Sequence, residues 1–325
     1  MKNVILKFAV LSIFGGLSAQ ASSAEITLPA AGFASSAYTN CYNTGRTAGD
    51  PKGNFGSYPI ALANYPTSST STNSTCYVTK PASEIVLPAG KTGFTLVGST
   101  SGTIPTATGA GGNIGSYVDY AWRNSTTNTC IIGTRVSMIN ADHDSSIGGT
   151  QYFEVNDIAR GGFDYTGSGD VKVYYTIFAS PVTSASPVYR VGRTKNSVQH
   201  RALKYDTLAN KALNGTNYLD LPTKNVNPGP ISGELTGINA TTAASTTPAT
   251  QDAIVNSNWV DFTTDTVWVD DDGSLAPISA FVYIEATNCT ANPTIKTDAI
   301  GLRQTAQELT TPKEIKIPGY AIGTP

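Results

Sequence analysis

Charge is what this sequence has least of. Only 14% of its 325 residues are Asp, Glu, Lys or Arg, and the formal net charge is -2. Globular proteins usually carry about a quarter of their residues as charges. So weak a field excludes electrostatic capture of nucleic acid, or of an anionic membrane, as the main activity. Histidine is scarcer still, with His143 and His200 the only two. Past the N-terminus no apolar run approaches the roughly 20 residues of a membrane span. Nucleophile elbows, phosphate loops and dinucleotide fingerprints are missing. The nearest approach to G-x-S-x-G is Gly98-Ser99-Thr100-Ser101-Gly102, which puts Thr at its centre. Helical periodicity is limited to one weak signal at residues 206–213, and no internal repeat is visible.

What is present points outward from the cytosol. Lys2 and Lys7 precede an apolar run at residues 8–17. Small residues follow at Ala19, Ala21, Ser22 and Ala24. The pattern is that of a secretory leader over residues 1–24, cut at a small-x-small site. The mature chain then carries four cysteines, Cys41, Cys76, Cys130 and Cys289. None forms a C-x-x-C pair, which argues against zinc and thioredoxin-like chemistry. An even count in an oxidising compartment implies two disulfides. Three pairings are open; we expect Cys41–Cys76 and Cys130–Cys289, the first closing a loop-rich segment and the second joining two distant strands.

With 40% hydrophobic residues the chain can build a core. Residues 25–115 are rich in Gly, Ser, Thr, Pro and Asn and read as a loop-rich segment packed on that core. Brief strand signals stand at residues 84–87 and 94–97, and residues 99–112 read as low complexity. Residues 116–325 read as the sandwich domain. Tyr117-Val118-Asp119-Tyr120-Ala121-Trp122 and residues 130–139 form a hairpin across a turn at 124–128. Further β-branched and aromatic runs follow at 152–155, 171–178, 188–191, 259–263, 267–269 and 279–284. Residues 225–250 read as another loop. Short strands between turn signals, without a βαβ rhythm, predict an all-β fold, an antiparallel sandwich with long loops and two disulfides.

Candidate chemistry is sparse. His143 lies within Asp142-His143-Asp144, a setting that suits an oriented imidazole or a solvated turn. Both histidines also read as incidental surface residues. Asp270-Asp271-Asp272-Gly273 offers hard oxygen ligands of the kind calcium takes, out of register with the EF-hand loop, and composition favours an acidic β-turn there. A carboxylate pair of the glycosidase type would involve Glu154 or Asp157, and the alternative for both is a solvated strand end.

Five segments carry a family resemblance. They are Asp119-Tyr120-Ala121-Trp122-Arg123, Gly133-Thr134-Arg135-Val136, residues 153–163 (Phe153-Glu154-Val155-Asn156-Asp157 onward to Phe163), Tyr189-Arg190-Val191-Gly192-Arg193-Thr194, and Trp259-Val260-Asp261-Phe262-Thr263-Thr264-Asp265. In order and character they resemble the C-terminal β domain of surface-associated copper-binding proteins from methane-oxidising bacteria, over about residues 115–290. That family holds copper through two histidines and a tryptophan-derived kynurenine two residues before the first. The resemblance implies copper ligation by His143 and His200. The chain departs from the pattern at the tryptophan: Ala141 and Val198 stand two residues before the histidines, so the modified ligand is not carried over.

The sequence therefore predicts an exported bacterial protein, secreted or on the outer cell surface and non-enzymatic, with copper at His143 and His200 and calcium at Asp270, Asp271 and Asp272 as its candidate cofactors. A structural adhesin or self-assembling filament subunit is the second reading, and a secreted hydrolase the third.

Overall fold

The computed structural model describes residues 25–41, 76–107, 111–164, 169–180, 184–198, 221–225, 238–239, 250–270, 273, 275–305 and 312–325. The proposed leader, the weak helical signal, His200, Asp271 and Asp272 lie outside them. In chain order the strands are β1 (Ile26–Leu28), β2 (Tyr38–Asn40), β3 (Thr95–Pro105), β4 (Asn113–Asn124), β5 (Thr129–Met138), β6 (Val155–Gly161), β7 (Val171–Thr176), β8 (Ala185–Ser186) and β9 (Arg190–Gly192). They continue as β10 (Thr223–Asn225), β11 (Ile238–Asn239), β12 (Thr250–Ile254), β13 (Trp259–Thr266), β14 (Ile278–Ser279), β15 (Phe281–Ala286), β16 (Thr294–Gln304) and β17 (Lys313–Ala321).

Two large sheets form. In the first, β1, β7, β15, β5, β4 and β3 lie side by side, all antiparallel, with β14 prolonging the β15 position and β8 added parallel to it. The second runs β17-β16-β6-β13-β9-β2, also antiparallel. The expected antiparallel sandwich is observed, and both expected disulfides are present. The expected hairpin is β4–β5. Its loop is held by the Asn124 side-chain carbonyl, which accepts the N–H groups of Thr126 and Thr127 at 3.0 and 3.1 Å. Asn128 closes it in the left-handed region, which Asn tolerates.

Period-2 alternation sends one set of side chains between the sheets. Ile158, Val191, Val260, Phe262, Ile300, Leu302, Ile315 and Ile317 of the second sheet meet Tyr117, Ala121, Ile132, Val136, Val173, Tyr175, Val282 and Ile284 of the first. Burying each large aliphatic or aromatic side chain contributes about 1.5–3 kcal/mol. Parts of both outer faces are covered as well. Over the first sheet, residues 78–94 shield an aromatic cluster of Trp122, Tyr174, Phe281 and Tyr283. The Trp122 indole donates to the Ile85 carbonyl at 3.2 Å. Lys91, bridging Glu25 and Glu285 at 2.5 Å each, ties down the far end. Over the second sheet lies a small polar-lined layer of Ala37, Tyr38, Val198 and Ala253.

Several stretches differ from the sequence reading, among them residues 238–239, which form β11 inside a stretch read as loop. Residues 84–87 form a turn, not a strand. Residues 99–112 are not a loop throughout, because β3 runs to Pro105 and β4 begins at Asn113. Their Gly and Ser content hides the strand, since the glycines receive aromatic rings from neighbours: a β-carbon on Gly102 would sit 2.7 Å from the Tyr117 ring. Finally, β16 and β17 carry no apolar run, because one face of each meets charges.

Each disulfide sits where the chain passes between sheets. Cys41 follows β2, and its N–H donates to the Tyr189 carbonyl at 2.8 Å. Cys76 precedes Tyr77, which bridges β7 at Tyr175 in the opposite sheet. Cys41–Cys76, with Cα atoms 5.0 Å apart, thus links the two layers. Cys130 on β5 holds Cys289 in the β15–β16 crossover. Arg123 seals that crossover by donating to the carbonyls of Cys289 and Thr290 at 3.1 and 2.9 Å.

Candidate functional site

His143 is buried, not an incidental surface residue: it is 3% exposed and stacks edge-on against Phe153 with centroids 5.4 Å apart. Its neighbouring carboxylates are engaged in shaping the loop. Asp142 Oδ1 accepts the N–H groups of Asp144 and Gln151 at 3.0 and 3.1 Å. Asp144 accepts Lys313 Nζ at 2.7 Å and the Ser146 hydroxyl at 2.5 Å, which together hold its carboxyl down to about 2. Burial, with help from the Lys313 charge, holds the His143 imidazole below its ordinary range, so it is neutral at neutral pH. That is the ligating form. Among the described residues, however, no three His, Cys, Asp or Glu side chains gather to hold a metal. The described surroundings of His143 supply packing rather than a donor set, and copper ligation there rests on His200.

Asp270 opens a turn in which its carbonyl accepts the Gly273 N–H at 2.8 Å, with Gly273 at φ +81°. The cysteines do not titrate or bind metal, being paired.

Glu154 and Asp157 are not a solvated strand end. Glu154 is 3% exposed and accepts the Asn156 amide at 2.6 Å. Asp157 is fully buried. It belongs to a cluster on the outer face of the second sheet, opposite to the core-facing Ile158. Strand register builds the cluster. Asp157 pairs with Arg303 across β6–β16, and Arg303 pairs with Glu314 across β16–β17. Asp261 is the diagonal neighbour of Asp157 on β13. Arg303 Nε donates to Glu314 at 2.9 Å, and its Nη1 lies 3.8 Å from Asp261 Oδ1. The Tyr38 hydroxyl contacts both Asp261 Oδ2 and, at 2.5 Å, the Asn196 carbonyl. Ser197 and Thr305 hydroxyls donate to Asp157 Oδ2.

The two carboxyls share one buried cluster, and Oδ1 of each has no hydrogen-bonding partner among the described residues. A proton held by one of them removes the repulsion between two buried like charges. Burial, then the charge of Asp261, raises Asp157 well above the carboxylate range. Burial also raises Asp261, opposed by Arg303 and the Tyr38 hydroxyl. Burial alone would lower the Arg303 guanidinium, but Asp261, Glu314 and Asp157 more than offset it. We therefore assign the proton to Asp157, leaving Asp261 as the anion.

A sign follows for pH. The folded chain holds a proton that an unfolded Asp, with a pKa near 3.9, releases. Stability linked to Asp157 is complete below that value and is lost as pH rises through the raised folded value. Asp157→Asn keeps the hydrogen bonds without the proton. Its unfolding free energy, compared with wild type by urea titration, gains on wild type above about pH 4, by up to about 1.4 kcal/mol per pH unit. Parallel pH profiles would place the proton elsewhere.

The sequence reading misses this cluster, because a charge in an alternating strand reads as solvent-facing. The available signal was repetition: Asp157, Asp261, Arg303 and Glu314 each adjoin an apolar, core-facing residue of their strand.

A second buried pair joins the sheets. Arg160 on β6 points into the core and meets Asp119 of β4 at 3.0 Å. Asp119 also accepts the Thr134 hydroxyl and the Tyr320 N–H, both at 2.6 Å. Arg160 completes the set by donating to the Tyr320 carbonyl at 2.6 Å.

No protein-family model, curated protein or solved structure matches this chain.

Proposed function

We propose that the protein is an exported, non-enzymatic β-sandwich of the bacterial cell surface or its surroundings, serving as a rigid structural module. One observation carries the reading: five charged side chains of the two sheets are enclosed. Asp119, Asp157, Asp261, Arg160 and Arg303 are all fully buried and engaged with one another. Groups sealed this way cannot meet a substrate, while they do fix strand register and sheet-to-sheet placement. Two disulfides at the sheet crossings add to this and suit an oxidising compartment. No helix among the described residues is long and apolar enough to cross a membrane.

The test is cell fractionation of the native producer, followed by mass analysis of the purified protein. The expected material lies outside the cytosol, lacks residues 1–24 and has four oxidised cysteines. It retains no stoichiometric metal and turns over neither ester nor glycoside substrates. A cytosolic, thiol-bearing chain overturns the export reading. Retained copper, or turnover above background, overturns the structural one.

A further inference from the structure

The edges of the two sheets are not treated alike. An open edge presents unpaired N–H and C=O groups, and soluble proteins blunt such edges with shortness, charge or proline. β1 and β2 have three residues each, and Glu25 precedes β1. β17 carries Lys313, Glu314, Lys316 and Pro318. β3 is eleven residues long and has no charged residue at all. Its only proline, Pro105, is at its very end.

Among the described residues, β3 hydrogen-bonds to β4 alone. Two bulges, at Leu96/Gly98 and Ile104/Pro105, bracket an uninterrupted ladder at residues 98–104. Along it, about half the backbone groups point away from β4, as in any antiparallel edge. Ser99, Ser101 and Thr103 share the outer face with Tyr120, Val118 and Ser116, and all three are exposed. Gly98 and Gly102 lie on the inner face beneath the Tyr320 and Tyr117 rings. Residues 98–103 themselves carry no bulky or charged side chain that would bar a second strand.

We infer that β3 is a docking edge for a second copy of the chain, with two β3 strands pairing antiparallel about a two-fold axis near Ser101. Charge decides the occupant. In a two-fold antiparallel pair the residues at the axis meet their own copies, so a charge near the axis would face a like charge. Of the two long edges, β3 avoids this conflict wherever the axis falls, whereas two β17 edges paired about Lys316 would bring lysines together. The first sheet of one protomer would then continue into that of its partner.

The experiment is sedimentation velocity over a concentration series of the mature, disulfide-intact chain, with Ser101→Lys, Ser101→Glu and Ser101→Thr. Ser101 is exposed, and matching thermal midpoints confirm that each variant folds. Wild type and Ser101→Thr are expected to pass from monomer to dimer as concentration rises. Ser101→Lys and Ser101→Glu alone should lose the dimer where wild type forms it, and an equimolar mixture of the two should regain it. The inference falls if wild type stays monomeric throughout. It falls equally if the two charged variants dimerise as wild type does, or if wild type grows past the dimer, since a two-fold contact closes on itself.

Discussion

Replacing Cys130 and Cys289 with serine is expected to lower the unfolding free energy by about 5 kcal/mol, against about 4 kcal/mol for Cys41 and Cys76. The order follows from loop length. The first pair spans 159 residues of sequence and the second 35. A cross-link restricts the unfolded chain more when the loop it closes is longer, and the dependence is logarithmic, so the two losses differ by only about 1 kcal/mol. All four cysteines are almost completely buried, so both bridges lie within packed structure. Guanidinium unfolding of the two double-serine variants measures the difference. A larger loss at Cys41–Cys76 would mean that linking the two sheets in the native state outweighs the restriction of the unfolded chain.

Asp119→Ala or Arg160→Ala alone should each cost about 3–5 kcal/mol, because each leaves an uncompensated charge between the sheets. Replacing both together, as Asp119→Leu with Arg160→Met, should bring stability much closer to wild type. The reason lies in the balance of forces at the pair. Burial raises the Asp119 pKa above its ordinary value even though Arg160 and three hydrogen bonds favour the anion. Desolvation therefore consumes most of the attraction, and what the intact pair contributes is chiefly placement. That placement is specific: β4, β5, β6 and β17 all meet at Asp119, through Thr134, Arg160 and Tyr320. Urea titration of the single and double variants gives the coupling energy directly. If the single losses simply add, the two side chains do not act as a pair.

The enclosed charges were the hardest feature to foresee. In the strand Val155–Gly161, alternation puts Asp157 and Arg160 on opposite faces, and the sequence reading placed only Asp157, at a solvated strand end. Asp157 points away from the core as expected, yet a second layer built from Tyr38 and residues 193–198 covers it. Arg160 points into the core, where only the opposite sheet could supply Asp119. β3 was hidden for a different reason. Its strand state comes from pairing with β4, and its glycines are packed by rings contributed from β4 and β17.

Composition and local pattern alone determined the all-β class, the antiparallel sandwich, the β4–β5 hairpin and the presence of two disulfides, because β-branched runs, turn residues and cysteine parity act over short range or by count; which of three pairings forms was settled by the tertiary structure. The tertiary structure decided which charges are buried, what His143 touches and which sheet edge stays open. Those depend on partners from distant strands, and burial is a property of the layer that covers a residue, which no local run of sequence specifies.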